Sequence, residues 1–537
     1  MIDRRLGWVL RGLLALPLLI ALIVLCAKHW TPVLDLAMTE LRVRDVGGRH
    51  TPLIGLPGRI GTFPNQGSHP GPLSFYLLAP VYRLFGSTSF GLEVATAVIN
   101  VAAAWTAIWI ARRRGGRRLL VAVGAMLAVT TAWFGASVLT QPWNPYLPLV
   151  SFVVVLLAAW AVLDGDHVML VPLVVAATLC AQTHVPYLTL AVSMCVVAFA
   201  AVGWRWWSTK VVARPEVRSV LIAVAVAVLL WLPPLIDQLR NTPGNISMLR
   251  HHFLNPPEAP TGFGTGIRTI LAHFDLWHLM VRLFGRSGDY FALVADLDGG
   301  SWKRGLVVVV VWLTLAAVAL RMPDRRPLRM HLVAAVATVV AVLSAERIFG
   351  KVWYYLTLWA WVIALLAVLA SLWTAVQLID RHRRQPLPLL AAGMAVMLIA
   401  VGLFSIDALR VEPPEARLSH GLAAVVGPTA AALDAGVAGA RGHDGTYVVL
   451  WADAYYFGSQ GYGLISELER RGFHAGATIT YRVPVTNHRV VDLEQVTAEV
   501  VLVTGVNIPI WRAKPAAVQA ADFEPRNAAE LAEFERL

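Results

Sequence analysis

Runs of about 20 apolar residues recur along the first three-quarters of this chain, each ended by a short polar connection, and a helix of that length crosses a bilayer core of about 30 Å. Scanning for such runs gives roughly eleven candidate spans, near 8–27, 90–111, 119–138, 146–163, 168–183, 185–203, 219–236, 304–320, 331–344, 352–376 and 388–406. Composition agrees: of 537 residues, 57% are hydrophobic and 15% charged, against about half and a quarter in soluble domains. The first run starts with Arg4 and Arg5, but Lys28, His29 and Trp30 follow it instead of a small-residue cleavage site, so it reads as an uncleaved signal anchor.

The formal charge of +12 is distributed by topology, which excludes nucleic acid as the partner it serves. Arg112, Arg113, Arg114, Arg117 and Arg118 form one cluster, and Arg205, Lys210, Arg214 and Arg218 a second. Arg321, Arg325, Arg326 and Arg329, then Arg381, Arg383 and Arg384, form the others; all four fall on alternate connections. The connections between them, Gln141 to Tyr146 and Gln182 to Tyr187, carry no Lys or Arg, and only Arg347 and Lys351 break the rule. Short basic loops stay cytoplasmic, so the N-terminus is expected inside a plasma (inner) membrane and the C-terminus outside. The expected organisation is a multi-pass transmembrane domain over 1–406 and a small extracytoplasmic α/β domain over 407–537. Two long outer loops, 28–89 with interfacial helices and 237–303, complete it. In the tail, 446–451 reads as a strand, 463–471 as a helix, and 477–483 and 499–503 as further strands. Cys26, Cys180 and Cys195 all lie in apolar runs and suggest neither disulfides nor zinc.

Chemistry is most legible in the first outer loop. Asp35 stands a few residues beyond the first span, where a carboxylate can meet both a lipid headgroup and a polar substrate. Leu34, Met38, Leu41 and Val43 recur at roughly helical spacing, which predicts an amphipathic helix in the interface between Asp35 and Asp45. Two roles are open for Asp35: capping that helix through its side-chain oxygen, or catalysis.

Asp35, Ala37, Glu40, Arg44, the segment His69-Pro70-Gly71-Pro72-Leu73, Tyr76-Leu77-Leu78 and Leu84-Phe85-Gly86 together resemble the GT-C glycosyltransferases. The nearest branch is that of protein O-mannosyltransferases, lipid A aminoarabinose transferases and Rgt-like enzymes. The resemblance covers about the first hundred residues as motif and the rest as topology. It implies an enzyme that moves a sugar from a polyprenyl-phosphate carrier to an acceptor hydroxyl of an envelope glycan, lipid or protein. Asp35 matches the family's catalytic aspartate, the general base on that hydroxyl, with Glu40, Arg44, His69, Arg347 and Lys351 as candidate substrate contacts. Many relatives have Asp-Glu where this chain has Asp35-Leu36, which leaves a divalent-metal requirement open, and no metal ligand is assigned. Many have Lys-Pro-Pro where this chain has His69-Pro70-Gly71-Pro72, so His69 either replaces a basic residue near the phosphate or is structural.

Gln182 and His184 sit at a helix-to-helix turn on the outer side, where they either bind sugar hydroxyls or end a helix before Pro186. Most of the 20 tryptophans fall near span ends as interface belts; Trp143, Trp277 and Trp302, in outer loops, could also stack on sugars. The rival function is a lipid-linked-sugar flippase or other secondary transporter, which would place ionisable residues near the bilayer midplane and pair broken helices, features the sequence lacks.

Overall fold

The computed structural model describes residues 2–284, 300–380, 388–452 and 459–536. It is a polytopic α-helical membrane protein carrying a small α/β unit at its C-terminal end. Among the described residues, eight helices are long and apolar enough to cross a membrane, beginning with Arg4–Cys26 and ending with Leu389–Ala408. One of the eight, Ser89–Phe134, is two spans. Gly116 breaks it with φ 63° and ψ −164°, a conformation open essentially to glycine. A Cβ on Gly124 would stand 3.7 Å from Ile108 Cδ1, whereas a straight helix would hold those positions about 24 Å apart. The chain therefore folds back at Gly116, inside the first arginine cluster. Leu149–Leu163 and His167–Thr183 are shorter apolar helices packed in the same bundle. Counting the hairpin twice and these two once gives eleven apolar helical segments, as many as the apolar runs of the sequence.

The basic clusters meet on one face. Asp166 takes Arg113 at 2.6 Å; Asp164 takes Arg114 and Arg329; Asp380 takes Arg118 at 2.6 Å. Connections far apart in sequence thus share ion pairs, as alternate loops on one side of a membrane must. Arg381, Arg383 and Arg384 lie outside the described residues.

The opposite face carries the long loop over 28–89 and the C-terminal unit, packed into one body. In the loop, β1 (Pro57–Ile60) and β2 (Gly67–Ser68) form an antiparallel ribbon ahead of the helix Leu73–Leu84. In the tail, β3 (Thr446–Ala452) lies between β4 (His474–Gly476) and β5 (Ala498–Val503), parallel to both. The helix Ser459–Arg470 supplies the crossover that a parallel β3–β4 pair requires. A second hydrophobic cluster joins Trp30, Val33, Leu36 and Met38 of the loop to Leu422, Val426, Leu464, Ile465 and Leu468 of the tail.

Two expectations are corrected. The helix Leu34–Asp45 exists, but Leu36 to Val43 are buried on every side, so it is no amphipathic surface helix. The crossover helix and the turn Arg482–Val485 cover the face meant for lipid headgroups. Residues 477–483 do not form a strand: β4 ends at Gly476, and helical turns at Ile479–Tyr481 and Arg482–Val485 follow. Those turns export the carbonyls of Val483 and Pro484 to the Arg42 guanidinium at 2.6 and 2.9 Å, bonds an extended segment would direct along a sheet.

Candidate functional site

Asp35 occupies the first turn of its helix, yet it does not cap it. Val33 is the N-cap, and no side chain closes that end. Instead Asp35 Oδ2 accepts a hydrogen bond from Trp143 Nε1 at 2.8 Å. Leu34, immediately before it, has φ 53°, a left-handed conformation costing a branched residue about 1–3 kcal/mol. The surroundings fix that strain: Trp30 Nε1 donates to the Pro414 carbonyl at 3.1 Å, and Thr31 N donates to Ser419 Oγ at 2.8 Å. The C-terminal unit thus holds the chain in the bend that aims Asp35 away from its own helix end. Burial raises the Asp35 pKa, while the Trp143 hydrogen bond and the charges of Arg59 and Arg42 oppose the rise.

Trp143 stands edge-on to Tyr355, with ring centroids 5.1 Å apart, and Tyr355 stacks on Trp353 at 6.3 Å and 16°. Two cations flank Trp353: Arg59 lies 5.2 Å from its centroid and Lys351 4.6 Å. Burial and the Asp35 charge push the Tyr355 hydroxyl up and Arg59 draws it down, so one field spans all three groups. An aromatic wall therefore runs from a pair of exposed cations to one half-buried carboxylate.

Beneath this wall lies a buried polar floor. His69 is held neutral, its pKa lowered to about 4 by burial, and its Nδ1 accepts from Val185 N at 3.2 Å. Its backbone is clamped by Asn245, which takes Ser68 N at 2.8 Å and donates to the carbonyls of Ser68 and His69. The His69 and His184 rings lie 5.0 Å apart. Gln182 is a brace: its Oε1 accepts from Leu73 N at 3.2 Å and its Nε2 donates to the Leu230 carbonyl at 2.8 Å. Gly71 leaves the room for that, since a Cβ there would meet Gln182 Cδ at 2.4 Å.

Asp35, His184 and Lys351 thus lie along one aromatic wall, against Trp143, Tyr355 and Trp353 respectively, and His69 lies against His184. Glu40 and Arg44 point elsewhere: Glu40 is fully buried, accepts from Tyr82 at 2.8 Å and pairs with Arg470, while Arg44 donates to Ser466 and Glu469 of the crossover helix. Arg347 is exposed, with its guanidinium on the Phe253 carbonyl at 3.0 Å. The residues missed by sequence reasoning are Arg59, a lone cation on β1 in a Gly/Pro-rich passage, Asn144 beside the flagged Trp143, and Tyr355. Among the described residues there is no group of three or more His, Cys, Asp or Glu side chains that could hold a metal ion.

No family model and no curated protein matches the chain. It is similar to solved structures of ArnT from Cupriavidus metallidurans, apo and bound to undecaprenyl phosphate. Both are 14% identical, with TM-scores of 0.46 and 0.47, over 91% and 90% of this chain and 89% of that one. It is also similar to the Archaeoglobus fulgidus oligosaccharyltransferase, at 13% identity and a TM-score of 0.37, covering 78% of this chain and 55% of that one. At such scores these are likenesses of helix arrangement, and the chemistry rests on the chain's own residues.

Proposed function

We propose that this chain is a membrane glycosyltransferase that moves a sugar from a polyprenyl-phosphate carrier to an acceptor hydroxyl of an envelope glycan, lipid or protein. The observation that carries the reading is the placement of Asp35: freed from capping, tethered by one indole N–H, and facing a cation-flanked aromatic wall at the membrane edge. The Oδ1 atom is left to accept the acceptor's proton while that hydroxyl oxygen bonds to the anomeric carbon. The carbon–oxygen bond to the phosphate breaks, and the electron pair leaves on the lipid phosphate. A positioned base of this kind contributes about 10²–10⁴-fold. Arg59 and Lys351 supply charge for the phosphate at the far end of the wall, where exposed cations attract an anionic headgroup from the bilayer surface.

In this reading the basic face is cytoplasmic, the N-terminus lies inside the plasma membrane, and the tail unit over 407–537 lies outside beside the site. The transmembrane domain over 1–406 carries the chemistry. A reporter active only outside the cytoplasm, fused after residue 537, is expected to be active; activity of a cytoplasm-only reporter there would invert the assignment. For the reaction, the full chain in lipid nanodiscs is given polyprenyl-phosphate sugars with envelope glycolipid acceptors, and free polyprenyl phosphate is measured. Acceptor-dependent release is expected; absence of both donor binding and release across neutral and charged sugars would refute the reading.

A further inference from the structure

Besides Ser68 Oγ, three polar atoms on the floor of the site have no partner. Among the described residues, Asn144 Oδ1, Thr183 Oγ1 and His184 Nε2 are buried without a hydrogen bond, and their side chains are at least nine-tenths buried. Leaving such a group buried and unpaired is costly, so these atoms mark a place built for something polar. Asn144 Nδ2 approaches His184 Nδ1 at 3.5 Å, and Thr183 is the residue immediately before His184. They also lie next to the reacting centre, since Asn144 follows Trp143 and the His184 and Tyr355 rings are 6.3 Å apart. Burial and then the neighbouring His69 hold the His184 imidazole neutral; the Tyr355 backbone opposes them but forms no hydrogen bond of ordinary geometry. Trp143, Val185, Pro186 and Tyr355, beside them, are half-exposed.

We infer that Asn144, Thr183 and His184 form the subsite that grips the hydroxyls of an uncharged sugar ring, placing its anomeric carbon beside Asp35; this deepens the glycosyl-transfer reading and rests on it. The chemistry selects a hydroxyl. With Asn144 Nδ2 directed at His184 Nδ1, the ring carries its proton on Nε2 and offers a donor there, while Asn144 Oδ1 offers an acceptor. With the amide turned over, the two roles exchange. Either arrangement presents one donor and one acceptor, which vicinal hydroxyls satisfy together because each O–H both donates and accepts. A sugar carboxylate would find no cation among these three residues and an ammonium no carboxylate. The neighbouring His69 is neutral and Gln182 is already bonded at both ends of its amide. The charged groups of the site, Asp35 and Arg59, stand along the rim with the acceptor and the phosphate.

The test uses the full chain in nanodiscs with polyprenyl phosphate bearing a neutral hexose, a neutral pentose, a uronic acid or an amino sugar, and with bare polyprenyl phosphate. The unaltered chain is expected to favour neutral donors by about 10²-fold or more in kcat/KM. Asn144→Ala and His184→Ala are expected to lower kcat/KM for neutral donors by about 10- to 100-fold while leaving affinity for bare polyprenyl phosphate unchanged. His184→Gln, which keeps both a donor and an acceptor, should recover part of the loss and covers the case in which the alanine variant does not fold. Equal use of charged and neutral sugars, or an equal loss for bare polyprenyl phosphate, would overturn this inference alone, the second showing that fixed water or the fold is what these atoms serve. If no sugar donor is bound or used at all, the proposed function falls and this inference with it.

Discussion

Arg489 is the bolt between the C-terminal unit and the helix that carries Asp35, and removing it should loosen that contact measurably. Its guanidinium, almost fully buried, takes Asp45 with two nitrogens at 2.7 and 2.8 Å and Glu469 with Nε and Nη2. Arg489→Ala leaves two carboxylates facing each other across the interface. Breaking a buried pair costs about 3–5 kcal/mol, and since Glu469 is partly open to water and keeps Arg44, we take the lower end, about 3 kcal/mol. That is about a 10²-fold rise in the undocked population. Limited proteolysis of the tail unit in nanodiscs, in the regime where cleavage reports the open population, measures it directly.

The pH dependence gives a second sign. Burial works to raise Asp45, but hydrogen bonds from His488 and Arg489 hold it below the usual carboxylate range; burial likewise opposes the Arg489 and Arg44 charges that hold Glu469 down. Depressed folded-state values give stability that is full above the unfolded values of about 3.9 and 4.3 and is lost as pH falls through the folded ones. In Arg489→Ala the acid loss should shrink, because Asp45 keeps only His488 and Glu469 only Arg44 against the burial that raises both. Unchanged proteolysis, or an acid limb identical to that of the unaltered chain, would refute the view that Arg489 fastens the Asp35 helix.

Other substitutions separate the parts of the site. Trp143→Phe keeps the ring and removes the N–H that stabilises ionised Asp35, so its pKa should rise and the acidic limb of the rate profile should move to higher pH. Arg59→Ala, at an exposed position, should raise the KM for lipid-phosphate donors with little effect on thermal stability, and added salt should shrink the difference. Gly71→Ala should cost about 1–3 kcal/mol in thermal unfolding, because the new methyl collides with the Gln182 brace.

The membrane plan was legible because its signals are local and repeated: apolar runs of bilayer length, and arginines confined to alternate connections. Asp35 was legible as a position, just past the first helix, but its freedom from capping depends on Trp143, 108 residues away. The fate of Glu40 was hidden for the same reason, since Arg470 lies 430 residues downstream and no periodicity announces it. The helix around Glu40 read as amphipathic because sequence spacing records where apolar residues fall, whereas here a second domain covers the polar side too. Arg59 carried no pattern, being one cation in a Gly/Pro-rich hairpin whose register against Trp353 is set by tertiary contact. Asn144 and Thr183 were equally silent, since an unpaired buried atom is a property of packing.

The central claim is that Asp35 removes the acceptor's proton, and Asp35→Asn tests it most directly, because the amide keeps the shape and the Trp143 contact through its oxygen while losing the charge. Donor binding and single-turnover transfer are measured side by side on the full chain in nanodiscs. We expect unchanged affinity for the polyprenyl-phosphate sugar with transfer reduced by about 10²–10⁴-fold; transfer at the rate of the unaltered chain would contradict the account.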